Sequence, residues 1–205
     1  MRRRNVRCAL IRGSDATMRL IGVGAMMVVV GCGSPEVPTV ADLLDEVRAG
    51  RADTLDLSDR TLGEDDWTRL ARLGELRHLR LGRLAIDDEQ LEPILALGEL
   101  RILNVVGTQI TDAGFARLAE LPHLEQLRLG SDRLSDAALA ALPEFPALVR
   151  LHLLDAPITD AALEHVAALD RLESFYVDRT LVTNAGVDRL GDRRPDLHIH
   201  CGLSD

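Results

Sequence analysis

The sequence contains no lysine, few aromatic residues and few cysteines. All 24 basic residues are arginine, aromatic residues make up 2% of the chain, and there are three cysteines. The core must therefore be built from Leu, Ala and Val, which suits a thin apolar layer repeated many times. The sequence also lacks a Gly-rich phosphate-binding loop and any setting typical of a catalytic serine. We therefore predict no cofactor, no catalytic residue and no enzymatic activity.

The chain also has fewer basic than acidic residues. The formal net charge of the chain is −9, and residues 1–31 hold six of the arginines but only one acidic residue. The remaining 18 basic and 32 acidic residues give residues 32–205 a net charge of −14. A chain this acidic is a poor general binder of nucleic acid or anionic lipid, so a nucleic-acid partner is not expected.

Residues 1–31 have the pattern of an export signal rather than of a folded element. Six arginines precede an apolar run over residues 20–30, which is too short to serve as a membrane-spanning anchor. Either Met1 or Met18 could be the start of this segment, because residues 18–32 alone would form a compact signal. The alternative interpretation is an uncleaved apolar amino terminus that contains a cysteine by chance.

The end of this segment, V-V-G-C at residues 29–32, resembles the bacterial lipoprotein signal. The resemblance implies that Cys32 becomes the lipidated first residue, followed by a tether over residues 32–38. The protein would then lie in the cell envelope, attached to the inner or outer membrane by lipid. Because Cys8 would leave with the signal and Cys32 would carry lipid, only Cys201 would remain, and we expect a domain without an intramolecular disulfide.

The rest of the chain repeats with a period of 24 residues. In residues 100–123 the apolar positions are Leu100, Leu103, Val105, Ile110, Phe115, Leu118 and Leu121, and apolar residues return 24 positions earlier and later. The first half of the unit alternates with period two, which predicts a strand, and the second half has the three-residue spacing of a helix face. A fixed period of this length is typical of stacked units.

Polar residues mark the start of each predicted helix. The cap pairs are Thr111-Asp112, Ser135-Asp136, Thr159-Asp160 and Thr183-Asn184, and the second unit has Asp87 with Gln90 three positions later. Such residues can accept hydrogen bonds from the free N–H groups of a first helical turn. Each unit therefore reads strand, turn, helix, turn.

The pattern L-x-x-L-x-L-x-x-T-x-I-T-D-A-G resembles the leucine-rich-repeat family over residues 52–205. The resemblance implies an α/β solenoid with a curved parallel sheet on its concave face and helices on its convex face. We expect a capping helix at 39–51, six repeats of 24–25 residues at 52–196 and a capping strand at 197–205. The family usually has Asn or Cys in the turn after each strand, and these residues are missing here, so we expect less regular spacing. Pro93 predicts a shortened or distorted convex segment.

The outward residues of the predicted strands supply the candidate binding site. We assign ligand binding to six of them: Arg80, Asn104, Arg128, Arg150, His152 and Tyr176. Rigid Arg and Tyr side chains are common anchors of recognition surfaces, so we expect an anionic protein or glycan partner. Binding should weaken with salt and strengthen in mild acid, as His152 gains a proton below about pH 6.5.

Two alternatives remain at this stage. Any solvated strand face must carry polar residues, so the protein could be a structural envelope component without a discrete ligand. His198 and His200 lie on one strand face with His152 two strands away, and histidines of this kind can share a metal in an enzyme. No carboxylate ladder or second histidine pair accompanies them, so we predict no metal site.

Overall fold

Seven parallel strands in sequence order form the framework of the molecule. The computed structural model describes residues 37–202, so the predicted signal, Cys32 and most of the tether lie outside the described residues, as do residues 203–205. The strands are β1 (Thr54–Asp56), β2 (His78–Arg80), β3 (Ile102–Val106), β4 (Gln126–Gly130), β5 (Arg150–Leu154), β6 (Ser174–Asp178) and β7 (His198–Gly202). Each strand pairs with the next along the chain.

The register is the same at every strand pair. Leu79 is opposite Leu103, Leu103 opposite Leu127, and Leu127 opposite Leu151, always 24 residues apart. Along a strand, buried and accessible residues alternate, as in β3, where Leu103 and Val105 are buried. This alternation places one set of side chains in the core and the other on the concave surface.

Short helices cover the opposite side of the sheet. They are α1 (Val40–Arg48), α2 (Glu64–Leu70), α3 (Leu91–Leu95), α4 (Asp112–Arg117), α5 (Leu163–Ala167) and α6 (Asn184–Arg193). Segments of 3₁₀ helix occupy Asp88–Gln90, Leu118–Glu120, Asp136–Glu144 and Asp160–Ala162. Pro93 lies in α3, which has only five residues, so the convex segment around it is short. No helix among residues 37–202 has the length and apolar character needed to cross a membrane.

The core is a continuous apolar layer between the sheet and the convex segments. Leu79, Leu103 and Leu151 have no exposed surface, and neither do the three phenylalanines. The rings of Phe115 and Phe145 lie 5.2 Å apart between neighbouring repeats. Few large side chains are needed because each repeat covers the apolar edge of the one before it.

Helix α1 covers the first repeat. Thr39 caps it by accepting from the N–H of Asp42, whose carboxylate accepts from the N–H of Thr39 in return. Leu44 and Val47 are buried against the core. Gly50 then takes a positive φ of 68°, a conformation that glycine adopts without strain, and the chain turns into β1.

A ladder of carboxylate–hydroxyl contacts joins the convex turns. Asp136 accepts from both the backbone N–H and the hydroxyl of Thr159, each at 2.6 Å. The same pair of contacts links Asp88 to Thr111, Asp112 to Ser135 and Asp160 to Thr183. This ladder therefore joins successive repeats at the same position from Asp88 to Thr183.

One expectation about the helix caps needs correction. Thr111 stands at the N-cap of α4, but its side chain accepts no hydrogen bond from the helix; its hydroxyl donates to Asp88. Cys201 is buried on β7, whereas Cys8 and Cys32, the other two cysteines, lie outside the described residues, so the expectation of a domain without an intramolecular disulfide stays a prediction.

Candidate functional site

The concave face is built from two columns of outward side chains. One column, read from β1 to β7, contains Thr54, His78, Ile102, Gln126, Arg150, Ser174 and His198; the other contains Asp56, Arg80, Asn104, Arg128, His152, Tyr176 and His200. All six predicted binding residues therefore lie on one surface. Their surroundings differ between its two ends.

At the amino-terminal end the polar groups are engaged with each other. Arg80 lies 3.7 Å from the carboxylate of Asp56, and the imidazole of His78 lies 3.2 Å from the hydroxyl of Thr54. The side-chain oxygen of Asn104 accepts from the N–H of Val106 at 3.3 Å. Arg80 and Asn104 are thus less available to a ligand than their sequence positions suggest.

Arg128 and Arg150 supply the exposed positive charge of the face. Arg128 is opposite His152 and Arg150 is opposite Gln126, so the two arginines are diagonal neighbours on β4 and β5. Both are exposed, and in the described part of the chain neither forms an ion pair with an acidic side chain. Their guanidinium groups are therefore open to an anionic partner.

His152 is held by a carboxylate that its sequence position does not reveal. Its Nε2 lies 2.5 Å from Oδ2 of Asp178, and each side chain is only 21% exposed. Oδ1 of Asp178 accepts from the N–H of Gly202 at 2.8 Å, which fixes the carboxylate between β5 and β7. Sequence analysis missed Asp178, although it occupies the next outward position of β6 after Tyr176.

The surroundings of His152 alter its response to pH. Burial lowers the pKa of its imidazole, and the neighbouring charges of Arg128 and His200 act in the same direction, while Asp178 opposes them incompletely. The expectation from sequence used the ordinary pKa of histidine, and these surroundings place the pKa of His152 below it. A lower pH is needed to protonate His152, because the charged form is poorly solvated there.

Tyr176 is the centre of an aromatic group at the carboxyl-terminal end. Its ring centroid lies 5.3 Å from that of His152, 5.7 Å from that of His198 and 5.5 Å from that of His200. We call Tyr176, His152, His198 and His200 the imidazole–tyrosine cluster. The three phenylalanines are buried, and the single tryptophan, Trp67, lies on α2, so Tyr176 supplies this face with its one large aromatic ring.

The arrangement suits recognition by hydrogen bonds and charge. Within residues 37–202, no three His, Cys, Asp or Glu side chains are placed so that they could hold a metal ion together. His198 and His200 both contact the ring of Tyr176, which belongs to the neighbouring strand. Guanidinium, imidazole and phenol groups can together contact the carboxylates and flat apolar surfaces of a partner.

The repeated strand–turn–helix coils define a leucine-rich-repeat solenoid of the α/β class, as predicted. Among solved structures, an internalin from Listeria monocytogenes is similar over 80% of this chain and 51% of its own, with a TM-score of 0.59 and 18% identity. A leucine-rich-repeat protein from Leptospira interrogans is similar over 76% of this chain and 38% of its own, with a TM-score of 0.48 and 16% identity. The chain thus spans about half the length of the internalin. No family model and no curated protein matches the sequence.

Proposed function

We propose that this protein is a non-enzymatic binding module that holds an acidic protein partner on the concave face of β4–β7. The observation that carries the proposal is the exposed, unneutralised pair of Arg128 and Arg150 beside Tyr176. Elsewhere on the same face Arg80 already has Asp56 as its partner. The free positive charge is therefore concentrated at one end.

The size and shape of this surface favour a macromolecular partner. Neighbouring strands lie about 4.8 Å apart, so β4 to β7 extend over roughly 14 Å. Over that distance Arg groups offer forked hydrogen bonds to carboxylates, and the ring of Tyr176 offers a flat apolar contact. An open sheet face of this kind fits a protein segment better than a small metabolite.

A glycan with acidic groups is the second candidate ligand. The same two arginines favour it, because a guanidinium also forms forked hydrogen bonds with sulfate or uronic carboxylate groups. A sheet that presents a partly exposed tyrosine beside histidines offers a sugar both stacking and hydrogen bonds. We expect the binding of an acidic protein segment and the binding of an acidic glycan to depend to different extents on the spacing of carboxylates along the ligand.

The proposed module is exported and anchored by lipid at Cys32. This part of the proposal rests on the sequence of residues 1–35, with its six arginines, apolar run and V-V-G-C motif. A lipid at Cys32 and a tether that ends near Thr39 would leave the solenoid free to present its concave face beyond the membrane surface.

The charge of the concave face can be tested with an acidic polypeptide. We expect the purified full chain to bind fluorescent poly-L-glutamate at pH 7.5, and Arg128→Ala/Arg150→Ala to weaken binding about tenfold or more, because two charge-assisted contacts are lost. Binding should also weaken as salt rises from 50 to 300 mM. Fluorescence anisotropy gives the Kd in each case.

The matched control removes the same charge from another surface. Arg48→Ala/Arg72→Ala lowers the positive charge equally, but these exposed arginines lie at the end of α1 and after α2. We expect this variant to bind poly-L-glutamate within about twofold of the native chain. Equal losses in the two double variants would place binding elsewhere, and tighter binding of heparin than of poly-L-glutamate would favour the glycan.

A further inference from the structure

The imidazole–tyrosine cluster brings three histidines together around one aromatic ring. The chain has six histidines, and three of them surround the ring of Tyr176 at centroid distances of 5.3–5.7 Å. Histidine is the residue whose charge normally changes between pH 5 and 8. The charge of this end of the concave face therefore depends on pH far more than that of the rest.

We propose that this cluster is a proton-dependent docking surface for carboxylate groups, so that an acidic partner is held more tightly as pH falls from 7.5 to 5.5. The proposal rests on the proposed function, and it adds that pH regulates binding at the same concave face. Its chemistry is simple, because each imidazole that gains a proton becomes a cation with two N–H donors, and both donors suit carboxylate oxygens.

The groups around the cluster leave little negative charge to oppose such binding. The charged and titratable groups that face His152 are Arg128 on β4, Arg150 on its own strand, Asp178 and Tyr176 on β6, and His198 and His200 on β7. Asp178 is the one acid among them, and it is already bound to His152 and to the N–H of Gly202. Protonated His198 and His200 would therefore add positive charge to the same face as Arg128 and Arg150.

The three imidazoles have different parts in this surface. His198 is exposed and His200 is partly exposed on β7, so both can meet a partner directly. His152 is less accessible and bonded to Asp178, and its lowered pKa delays its protonation. A partner carboxylate near Arg128 and His200 would relieve the repulsion that these groups exert on a protonated His152. His198 and His200 are therefore the imidazoles that we expect a partner to contact directly.

The test is the pH dependence of poly-L-glutamate binding by the full chain at constant 50 mM ionic strength. The carboxylates of the probe have an ordinary pKa of about 4.3, so they stay largely ionised at pH 5.5. We expect the affinity of the native chain to rise about tenfold between pH 7.5 and 5.5. In His198→Gln/His200→Gln the rise, taken as the ratio of that variant's own Kd values at pH 7.5 and 5.5, should fall below about threefold.

Two single variants serve as controls. His78→Gln removes a concave imidazole on β2, and His123→Gln removes an exposed imidazole on the turn after α4. Both should keep the full rise, because neither contacts Tyr176. A native affinity that does not change with pH, an unchanged rise in the double variant, or a rise lost in His78→Gln would each overturn the proposal.

The same measurements separate this proposal from the proposed function. Absence of binding at both pH values would refute the acidic-partner module itself, whereas binding that ignores pH would refute only the role of the cluster. A rise that disappears on addition of EDTA would show that a metal ion, not a proton, creates the extra charge. Circular dichroism at both pH values checks that each variant remains folded.

Discussion

At the scale of single residues, His152 shows how burial can oppose a favourable neighbour. Its contact with Asp178 would by itself favour the protonated imidazole. Burial is the larger influence and lowers the pKa of His152, with Arg128 and His200 contributing in the same direction. The folded protein therefore prefers this histidine neutral, while the unfolded chain protonates it at about pH 6.5.

This difference predicts that His152 makes the fold less stable in mild acid. Its folded pKa lies below the unfolded value, so the unfolded chain binds the proton more readily and stability is lost as pH falls below about 6.5. Urea unfolding at pH 7.5 and 5.5 measures the loss. We expect His152→Gln to show a smaller loss than the native chain and His123→Gln to match the native chain. A larger loss in His152→Gln would mean that the protonated form is the one the fold prefers.

At the scale of elements, the third residue after the cap distinguishes α-helical from 3₁₀ starts in the four convex segments whose caps belong to the ladder, at Thr111, Ser135, Thr159 and Thr183. Gly114 and Gly186 hold this place in α4 and α6, which are α-helical from their first residue. Ala138 and Ala162 hold it in the segments that begin as 3₁₀ helix at Asp136 and Asp160. A Cβ on Gly114 would lie 2.0 Å from Oδ1 of Asp88, and one on Gly186 would lie 2.2 Å from Oδ1 of Asp160. The α-helical start thus requires glycine, because the backbone passes close to the carboxylate of the previous ladder rung.

Replacing Gly114 by alanine should therefore destabilise the protein despite the better helix propensity of alanine. We expect Gly114→Ala to lower the free energy of unfolding by about 1–3 kcal/mol, because Asp88 must move from Thr111 or the helix start must rewind. Gly98→Ala is the control, since a Cβ there meets no atom within 4 Å, and it should change stability by less than about 0.5 kcal/mol. Equal shifts in chemical denaturation would contradict this account of the α-helical start.

At the scale of the whole molecule, charge is divided between two surfaces. The first turns of the convex segments carry acidic residues, as Glu64, Asp65 and Asp66 do in α2, while Arg128 and Arg150 stand on the concave sheet. A chain with a net charge of −9 can therefore still present a cationic surface to a partner. Because a solenoid has separate inner and outer faces, the two sets of charge do not neutralise each other.

The orientation of this surface depends on how the chain is attached. We predict that mass spectrometry of the protein from native membranes will find a diacylglyceryl group on Cys32 as the first residue, because V-V-G-C at residues 29–32 has the lipoprotein pattern. Cys32→Ser should leave the protein unprocessed and release it from the membrane anchor. An amino terminus that starts at Met1 or Met18, or a Cys32 that is found in a disulfide with Cys201, would contradict this prediction.

Sequence alone determined the architecture of this protein and the membership of its concave face. The 24-residue period set the register, and strict alternation along each strand assigned Arg128, His152 and Tyr176 to the outside and Leu127 and Leu151 to the core. Both patterns follow from local backbone geometry, in which side chains of a strand point alternately to opposite faces. Because the repeat is short, the same alternation recurs in every strand of the solenoid.

Only the tertiary structure decided which of these side chains remain free. Asp56, on the strand before that of Arg80, forms an ion pair with Arg80. Asp178, which lies 26 residues after His152 in the chain, is hydrogen-bonded to His152. The ladder between Asp136 and Thr159 likewise joins side chains that belong to different repeats. These contacts depend on side-chain reach across stacked coils, and burial then sets their charge. A periodic sequence fixes which residues are neighbours, whereas their pairing depends on distances and solvent exposure that arise only when the coils stack.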